Sequence, residues 1–473
     1  MLGLFGTLGM GTRSLQAQQQ GIETAGHNLA NVNNPAYARQ RVLLRTSNAL
    51  PTPTGPVGTG AQVTQVQQIR DALLDQRITT ESSVSGYWLA QQKTLQYAQA
   101  ELGQGIDRQA SGAEGTAATT GAQRGLAEGL QDLFNAFQSV ATSPTSIAER
   151  QVLLQKAQSL ANRFNVTDQR LGELRDLLNE ELQDNVTAAN ELLGSIASLN
   201  DDILNVEVGG GAANDLRDLR QQKLETLAQL VKVDAVEDTS GNLNIAVGGT
   251  ALVTGKTVND TLQAYDPGAG GLLVRTVTGG TALTLTGGAM QGKIDARDGA
   301  LADLRSSLNT AASQLITQVN ALHSLGYSLT GSTGAAFFTG TTAATMAVNS
   351  ALGANPALVQ AAGVSGAVGD NQTALALAQL ADTRLAALGN QTFQQDYAQA
   401  VAALGQSLAS ANEQVGDQEA VAAMMAQQRA AVSGVSLDEE MTDLVKFQKA
   451  FAASAKLIAT VDDLLEAVVN MKR

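Results

Sequence analysis

Apolar and small side chains recur with heptad spacing at both ends of this 473-residue chain. Spacings of four and three alternate along each run, which is the pattern of one helix face in a coiled coil. Little local sequence remains at a chain end to cover such a face. We therefore expect the terminal helices to pair with each other, with other copies of the chain, or with both. The two runs are Leu4, Leu8, Gly11, Leu15, Gln18, Ile22, Ala25, Leu29 and Val32, and Met441, Leu444, Gln448, Phe451, Ala455, Ile458, Asp462, Leu465 and Val469.

Similar periodicity predicts further long helices between the two ends, at 66–106 (with Leu73 and Leu95 among its buried residues), 126–140, 147–203, 301–322 and 393–431. The helix predicted at 147–203 would be ~80 Å long, with a break near Asn165 as an alternative. Ser146 with Glu149, and Ser436 with Glu439, have the spacing of capping boxes that begin helices. The Gly/Ala/Thr-rich run 111–121 predicts a flexible loop.

Short alternating runs separated by paired glycines replace the helical pattern between residues 231 and 294. Val231, Val233 and Ala235 alternate with polar residues, the stretch 240–242 has turn composition, and a second alternating run follows it. This pattern is typical of hairpins in a small sheet. We therefore expect a β domain inserted into the helical rod.

The predicted fold is mainly α: an elongated multi-domain rod of long helices with paired N- and C-terminal coiled-coil helices and an inserted small β domain. Residues 1–35 with 436–473 form the terminal coiled-coil domain in this interpretation. Residues 36–230 with 295–435 form the rod-like helical bundle, and residues 231–294 form the β-rich outer domain.

Composition restricts the chemistry available to the chain. Thirty basic against 44 acidic residues give a net charge of −14, which argues against a nucleic-acid partner. The chain has no cysteine and only two histidines, so disulfides, thiolate metal sites and multi-histidine centres are excluded. No apolar run approaches the ~20 residues that cross a bilayer, and the N-terminus lacks the basic region of a secretory signal. We expect no membrane insertion, no metal, no cofactor and no catalytic residue.

Three sequence features resemble functional sites, and each has a simpler structural interpretation. Gly255-Lys256-Thr257 resembles the end of a phosphate-binding loop but lacks the glycine required at position 250, so we expect a hairpin turn. The acidic residues Asp295, Asp298 and Asp303 lack calcium-loop spacing and suit a helix start. His27 and His323 have no recognisable catalytic partner, and we expect them to be packed or capping side chains.

The segment Asn28-Leu29-Ala30-Asn31-Val32-Asn33-Asn34-Pro35-Ala36-Tyr37 resembles the N-terminal signature of bacterial flagellar axial proteins, the rod, hook and hook-associated families. Asn34 and Ala36 stand where that pattern has Thr and Gly. The following Arg39-Gln40 narrows the resemblance to the family of flagellar hook-associated protein 1, the first hook–filament junction protein. The stretches 132–137, 149–154, 161–164, 292–298 and 320–327 also resemble this family, and only the β insert does not.

The resemblance implies a structural adaptor that forms a ring between hook and filament, outside the cell, after export by the flagellar type III apparatus. It implies other copies of the chain, the hook protein, the second junction protein and an export chaperone as partners. The expected assembly residues are Leu8, Leu15, Ile22, Leu29, Leu444, Phe451, Ile458 and Leu465. The expected turn residues are Asn28, Asn31, Asn34, Pro35 and Tyr37.

Two other functions are compatible with the residues. A type III-secreted effector or surface-binding protein could carry axial-type ends. An enzyme could be housed in the insert, although about 60 residues without an acid–base pair are poor material for one.

Overall fold

The structure, a computed structural model, describes residues 3–52, 55–102 and 125–471. The flexible loop predicted at 111–121 and the predicted helix end at Ile106 lie outside these residues. The helices are α1 (Leu4–Ala30), α2 (Ala72–Glu101), α3 (Leu126–Thr142), α4 (Ile147–Val208), α5 (Asn214–Leu230), α6 (Gly288–Ala296), α7 (Ala302–His323), α8 (Ser350–Ala354), α9 (Gln372–Gln379), α10 (Phe393–Ser433) and α11 (Leu437–Asn470). A π-helical turn at Arg297–Leu301 joins α6 to α7.

The strands form small antiparallel sheets. They are β1 (Gln40–Thr46), β2 (Leu50–Thr52), β3 (Gly55–Val57), β4 (Ala61–Gln68), β5 (Asp234–Glu237), β6 (Leu243–Val247), β7 (Thr250–Thr254), β8 (Thr257–Val258), β9 (Leu262–Tyr265), β10 (Leu273–Thr276), β11 (Phe338–Thr339) and β12 (Ala347–Val348). Strands β5 to β8 form one sheet in chain order, and β1–β4, β2–β3, β9–β10 and β11–β12 pair as two-stranded ribbons.

Helix α4 is the axis of the rod and carries two hydrophobic cores in succession. It is 62 residues long, which corresponds to ~93 Å. Its first half, up to Leu178, packs with α3, α7, α9 and α10. From Leu182 onward its apolar side chains pack with α5, α6 and the β sheet instead. The predicted rod of long helices is therefore present, and one helix spans both cores.

Two predictions about the helices are wrong. Helix α4 runs through Asn165, so the alternative of a break there does not hold; the Asn165 side-chain amide donates to the carbonyls of Ala343 and Met346. The helix predicted from residue 66 begins at Ala72, where Asp71 caps it, and Leu73, predicted to be buried, is exposed. Residues 61–68 form strand β4, paired with β1 in a hairpin that the sequence did not predict.

Ser146 and Ser436 are the N-cap residues that the sequence predicted, but neither capping box is complete in the described hydrogen bonds. Each serine side chain accepts from the backbone amide three residues on. The carboxylate of Glu439 instead accepts from Arg39, 400 residues away in the chain. A complete capping box occurs at the start of α10, between Thr392 and Gln395.

The β-rich segment lies against the helices rather than beyond them. Ile245, Val247 and Leu262 are buried and share a core with Leu193 and Ile196 of α4. Helix α6 begins at Gly288, inside the range predicted as β. Gly288 has a φ of +81°, and a Cβ there would lie 2.5 Å from the Cα of Val231, so this glycine pair permits a close backbone contact and a helix start rather than a hairpin. The division of the chain into three domains stays a prediction.

Candidate functional site

The terminal helices α1 and α11 pair along their length, and the β1–β4 hairpin packs on α1. We call α1, α11 and strands β1 to β4 the terminal unit, and the part of the chain from α2 to α10 the rod. Two small residues of α1 permit close contact with α11. A Cβ at Gly21 would lie 2.6 Å from the ring of Phe447, and one at Gly11 would lie 2.9 Å from Ile458. Ser14 and Ser454 share a hydrogen bond of 2.9 Å across the pair.

The residues of α11 that face α1 agree with the predicted run at every second position. At the positions between, the residue that faces α1 comes one place earlier in the chain than the predicted one. The predicted assembly residues Leu444, Phe451, Ile458 and Leu465 are half-buried. The positions between them are Glu440, Phe447, Ser454 and Val461, all buried or half-buried. Of the corresponding predicted residues, Ala455 is half-buried, whereas Met441, Gln448 and Asp462 are exposed. Spacings of four and three fit either choice, and the close contact of Phe447 with Gly21 favours the earlier positions.

On α1 the predicted assembly residues Leu8, Leu15, Ile22 and Leu29 are likewise half-buried. The most buried side of α1 also includes Ala17, Thr24 and Asn28, because this helix lies between α11 and the hairpin. Arg13 donates from its guanidinium to the carbonyl of Thr59, 2.7 Å away, and so holds the hairpin on α1. The structure thus places all eight residues in or beside the helix pair of one chain.

A second apolar face of α11 stays uncovered in the single chain. It consists of Leu457, Leu464, Val468 and Met471, which are 38%, 50%, 50% and 81% exposed. Their spacings of seven, four and three place them along one side of the helix, beside the face that contacts α1. Leu457 also borders α1, since a Cβ at Gly11 would lie 3.3 Å from its Cδ2. We call these four residues the outer strip.

Asn28, at the end of α1, is a buried hydrogen-bonding centre. Its side-chain nitrogen donates to the carbonyl of Gln40 and to Glu440 at 2.8 and 3.0 Å. Its side-chain oxygen accepts from the Tyr37 hydroxyl and the Gln40 amide at 2.7 and 2.9 Å. The pair of bonds to Gln40 imitates one rung of a β ladder, so this single side chain ties α1, the turn, strand β1 and α11 together.

The other predicted turn residues shape the chain between α1 and β1. Asn31 is the C-cap of α1, and its side chain donates to the carbonyl of His27. The side chain of Asn34 accepts from the amide of Ala36, and Pro35 is exposed. Asn390 alone among the described non-glycine residues has a positive φ, so Ala36 occupies the place of the pattern's glycine without strain. Burial, with the nearby carboxylates of Asp215, Asp218 and Glu440, raises the pKa of Tyr37 and keeps its hydroxyl a donor.

An ion pair between Arg39 and Glu440 connects the residue before β1 to the first turn of α11. The guanidinium of Arg39 donates to Glu440 at 2.6 Å and to Glu439 at 2.5 Å. Burial opposes the charge of Arg39, but these two carboxylates outweigh it, and the pKa of Arg39 is raised. Glu440 is buried and would be costly without Arg39 and Asn28 as partners.

On the rod side, the N-terminal end of α5 supplies the polar groups that meet the terminal unit. Asp218 accepts from the amide of Ala38 at 2.9 Å, and Asp215 accepts from the side chain of Gln40 at 2.7 Å. Asn214 donates to the carbonyl of Val66 at 2.9 Å. Burial raises the pKa of Asp218, while the Ala38 amide and Arg70 act in the opposite direction.

Sequence reasoning missed most of this network. It named Asn28 and Tyr37, and it used Arg39 and Gln40 only as part of a resemblance. Asp215, Asp218 and Glu440 were not singled out, because their partners lie 175 to 412 residues away. The available signal was weak: Asp215 is an acid in the first turn of a helix, which the helix dipole also explains, and Asp218 lies one turn further along the same helix.

The other residues that the sequence singled out lie in ordinary structural roles. Gly255 and Lys256 form the turn between β7 and β8, as expected. Asp295 accepts from Tyr87, and Asp298 pairs with Arg297. His323 is buried between the carbonyl of Ala335 and the amide of Gln360. The half-exposed His27 has Nδ1 3.1 Å from the Tyr37 hydroxyl and Nε2 3.5 Å from Asp215.

No described helix is both long and apolar enough to span a bilayer. Within the described residues, no group of three or more potential metal-ligating side chains converges.

Two sequence-family models match the chain. One is described as the helical domain of the flagellar hook-associated protein FlgK and matches residues 116–338. The other is described as the C-terminal part of the flagellar basal body rod proteins FlgEFG and matches residues 426–471. The two ranges together cover more than half of the chain.

Curated relatives match nearly the whole length. Flagellar hook-associated protein 1 of Bacillus subtilis is 28% identical, over 97% of this chain and 96% of the relative. The protein of the same name from Escherichia coli is 24% identical, over 97% of this chain and 98% of the relative. The solved flagellar hook junction protein FlgK from Burkholderia pseudomallei superposes with a TM-score of 0.62 at 17% identity, over 76% of this chain and all of that structure, and it supports the fold.

Proposed function

We propose that this chain, a member of the flagellar hook-associated protein 1 family, acts as a structural adaptor at the hook–filament junction. Members of this family are structural proteins of the bacterial flagellum. Copies of the chain form a ring in this proposal, after export to the cell exterior by the flagellar type III apparatus. The hook protein, the second junction protein and an export chaperone are the other proposed partners.

The observation that carries the proposal is the arrangement of the terminal helices. The eight expected assembly residues are half-buried along the pair of α1 and α11, while the outer strip stays largely exposed in the single chain. Four large apolar side chains in a row on an exposed helix are typical of a surface that contacts another protein. In the proposed ring, neighbouring subunits cover the outer strip.

The similarity to relatives extends over 97% of the chain rather than over its ends alone. This favours an adaptor over a secreted effector that borrowed axial-type ends, since such a protein would share only the terminal segments. No observation favours an enzyme in the β segment.

Leu464→Asp tests the adaptor. Leu464 is half-exposed, so we expect the free subunit to change in stability by no more than about 0.5 kcal/mol. A carboxylate buried without a partner in the assembled ring costs several kcal/mol per subunit. Cells should therefore export the variant yet carry hooks without filaments and release filament protein into the medium.

Ala459→Asp is the matched control, because Ala459 is exposed on the same helix but on the side away from the outer strip. This variant should build normal filaments. Normal filaments with Leu464→Asp would contradict the proposed role of the outer strip, and equal defects in both variants would point to a general effect of charge on α11.

A further inference from the structure

The terminal unit meets the rod through polar contacts. Among the described residues, neither hydrophobic core of the rod includes a side chain of the terminal unit. A cleft of about 420 Å³ separates the turn residues, including Val32 and Pro35, from Ile78 of α2 and Met425 of α10. Apolar packing therefore does little to fix the angle between the two parts.

The N-terminal end of α5 carries the main side-chain contacts across this boundary. Asp218 holds the backbone of the turn at Ala38, Asp215 holds the side chain of Gln40, and Asn214 holds strand β4 at Val66. On the other side of the turn, the backbone amide of Arg39 donates to the carbonyl of Ser433 at the end of α10. These contacts lie beside both connections between the rod and the terminal unit, the one after β4 and the one after α10.

Arg70 balances the charge at this boundary. Its guanidinium donates to Asp218 at 3.0 Å and to Asp75 at 2.8 Å. Asp75 also accepts from Arg429 of α10, which pairs with Glu225 of α5 as well. The rod side of the boundary therefore carries a connected set of ion pairs. Asp218 reaches across it to Ala38, and Arg70 also reaches across it, since its guanidinium donates to the carbonyl of Ala36 at 3.3 Å. Asp215 lies beside this set and also faces His27 of α1, at 3.5 Å.

We propose that Asn214, Asp215 and Asp218 form an electrostatic latch that sets the orientation of the terminal unit on the rod. The latch opens when its charges are removed or screened, while the terminal unit and the rod each stay folded. The proposal concerns contacts within one chain and does not depend on the proposed ring.

The chain has no cysteine, so pairs of spin labels can be placed on the purified full chain without removing native thiols. Ala420→Cys on α10 with Ala453→Cys on α11 spans the boundary, and Ala420→Cys with Ser198→Cys on α4 lies within the rod; all three positions are exposed. Pulsed electron paramagnetic resonance then gives the distance distribution of each pair.

The test variant is Asp215→Asn with Asp218→Asn. In the structure the Ala38 amide and Arg70 donate to different oxygens of Asp218. Asparagine at 218 has an NH2 donor in place of one of these oxygens, so one of the two bonds is lost in the present geometry. We expect a narrow distribution for the pair across the boundary in the unmodified chain and at least a doubled width in the variant. The pair within the rod should keep its distance distribution. The thermal transition should stay cooperative, although the loss of the buried pair between Asp218 and Arg70 lowers its midpoint. Salt at about 1 M, which shortens the screening length to ~3 Å, should broaden the unmodified distribution in the same direction.

Asp132→Asn is the control, since it removes an ion pair with Lys156 inside the rod and should leave the distance across the boundary unchanged.

Asp215→Asn alone, at a mostly exposed side chain, tests the latch without burying a mismatched group and should broaden the distribution to a smaller extent. An unchanged width in both Asp215 variants would overturn the proposal. So would a broad distribution in the unmodified chain at low salt, or equal broadening by Asp132→Asn.

Discussion

At the scale of single residues, hydrogen bonds determine how a buried polar side chain is oriented and which of its atoms donate. Asn28 donates two hydrogen bonds and accepts two, so its amide has one possible orientation. His323, far along the chain, is similar: Nδ1 donates to the carbonyl of Ala335, and Nε2 accepts from the amide of Gln360. A second proton on His323 would break the bond to Gln360.

The stability of the rod should depend on pH through His323. Burial, with the charge of nearby Arg150, lowers the pKa of His323 from 6.5 to about 4. The unfolded chain therefore binds a proton that the folded chain does not between pH 4 and 6.5. The contribution of His323 is complete above pH 6.5 and is lost as the pH falls toward 4, by about 3 kcal/mol. Denaturant unfolding of the unmodified chain and His323→Gln, at about pH 4.5 and about pH 7.5, should show a smaller pH dependence in the variant.

His27→Gln is the comparison variant, because His27 is half-exposed. It should keep the pH dependence of the unmodified chain. An equal pH dependence in His323→Gln and the unmodified chain would contradict the neutral, buried state of His323.

At the level of elements, the pairing of α1 with α11 depends on which residues of α11 face α1. Four of the eight positions along the α11 face, at 444, 451, 458 and 465, fit both the predicted run and the structure. Three of the other four, at 440, 447 and 461, separate the two registers, whereas Ser454 and the predicted Ala455 are both half-buried. Glycines on α1 decide between them, since Gly21 leaves room for the ring of Phe447.

Alanine substitutions distinguish the two registers of α11. Phe447→Ala and Val461→Ala remove side chains that face α1, and each should weaken the helix pair by about 1–3 kcal/mol. Gln448→Ala and Asp462→Ala change exposed positions and should have effects within about 0.5 kcal/mol. Amide exchange of α1 reports the pairing directly. Faster exchange with Gln448→Ala or Asp462→Ala, and none with Phe447→Ala, would support the predicted register instead.

The sequence was informative about elements with long periodic patterns and less so about short ones. The starts of α4 and α11 follow from Ser146 and Ser436, and the mainly α rod with paired ends follows from the apolar spacing. The β1–β4 hairpin was missed because strands such as β4 are partly exposed on both faces, so their apolar residues do not alternate clearly. The register of α11 could have been found from the sequence, since Phe447 and Val461 are more apolar than Gln448 and Asp462.

At the scale of the whole molecule, the two cores on α4 explain how the β segment belongs to the rod. The sheet covers the apolar side chains of α4 from Leu182 to Ile196, and these side chains would face water without it. The boundary between the terminal unit and the rod consists of polar contacts instead, and the residues that pair across it are far apart in the chain. Contacts between residues 175 or more positions apart leave no local pattern, so the sequence could not predict the network around Asp215 and Asp218.

Replacing residues 238–280 by a short Gly/Ser linker should destabilise one core and spare the other. Burial of each large apolar side chain stabilises by about 1.5–3 kcal/mol, and several lose their cover in this variant. Amide exchange should accelerate in α5 and in the second half of α4, while residues 153–178 of α4 keep their protection. Val236→Ser, at an exposed position on the edge strand β5, is the control and should leave exchange unchanged. Full protection of α4 in the linker variant would show that the β segment is a separable outer module.

The continuous helix α4 also limits how the length of this protein can change during evolution. One residue inserted between Leu178 and Leu182, where the first core gives way to the second, would turn the second core about 100° around the axis and move it ~1.5 Å along it. Insertions of seven or eleven residues return the apolar side to within ~20° of its former direction, but they also shift it by ~10 Å or more along the helix. Helix α6 packs in the second core and α7 in the first, so the segment that joins these two helices would have to lengthen in step. We therefore expect length variation among related chains to accumulate in the hairpin tips and loops and to be rare in α4.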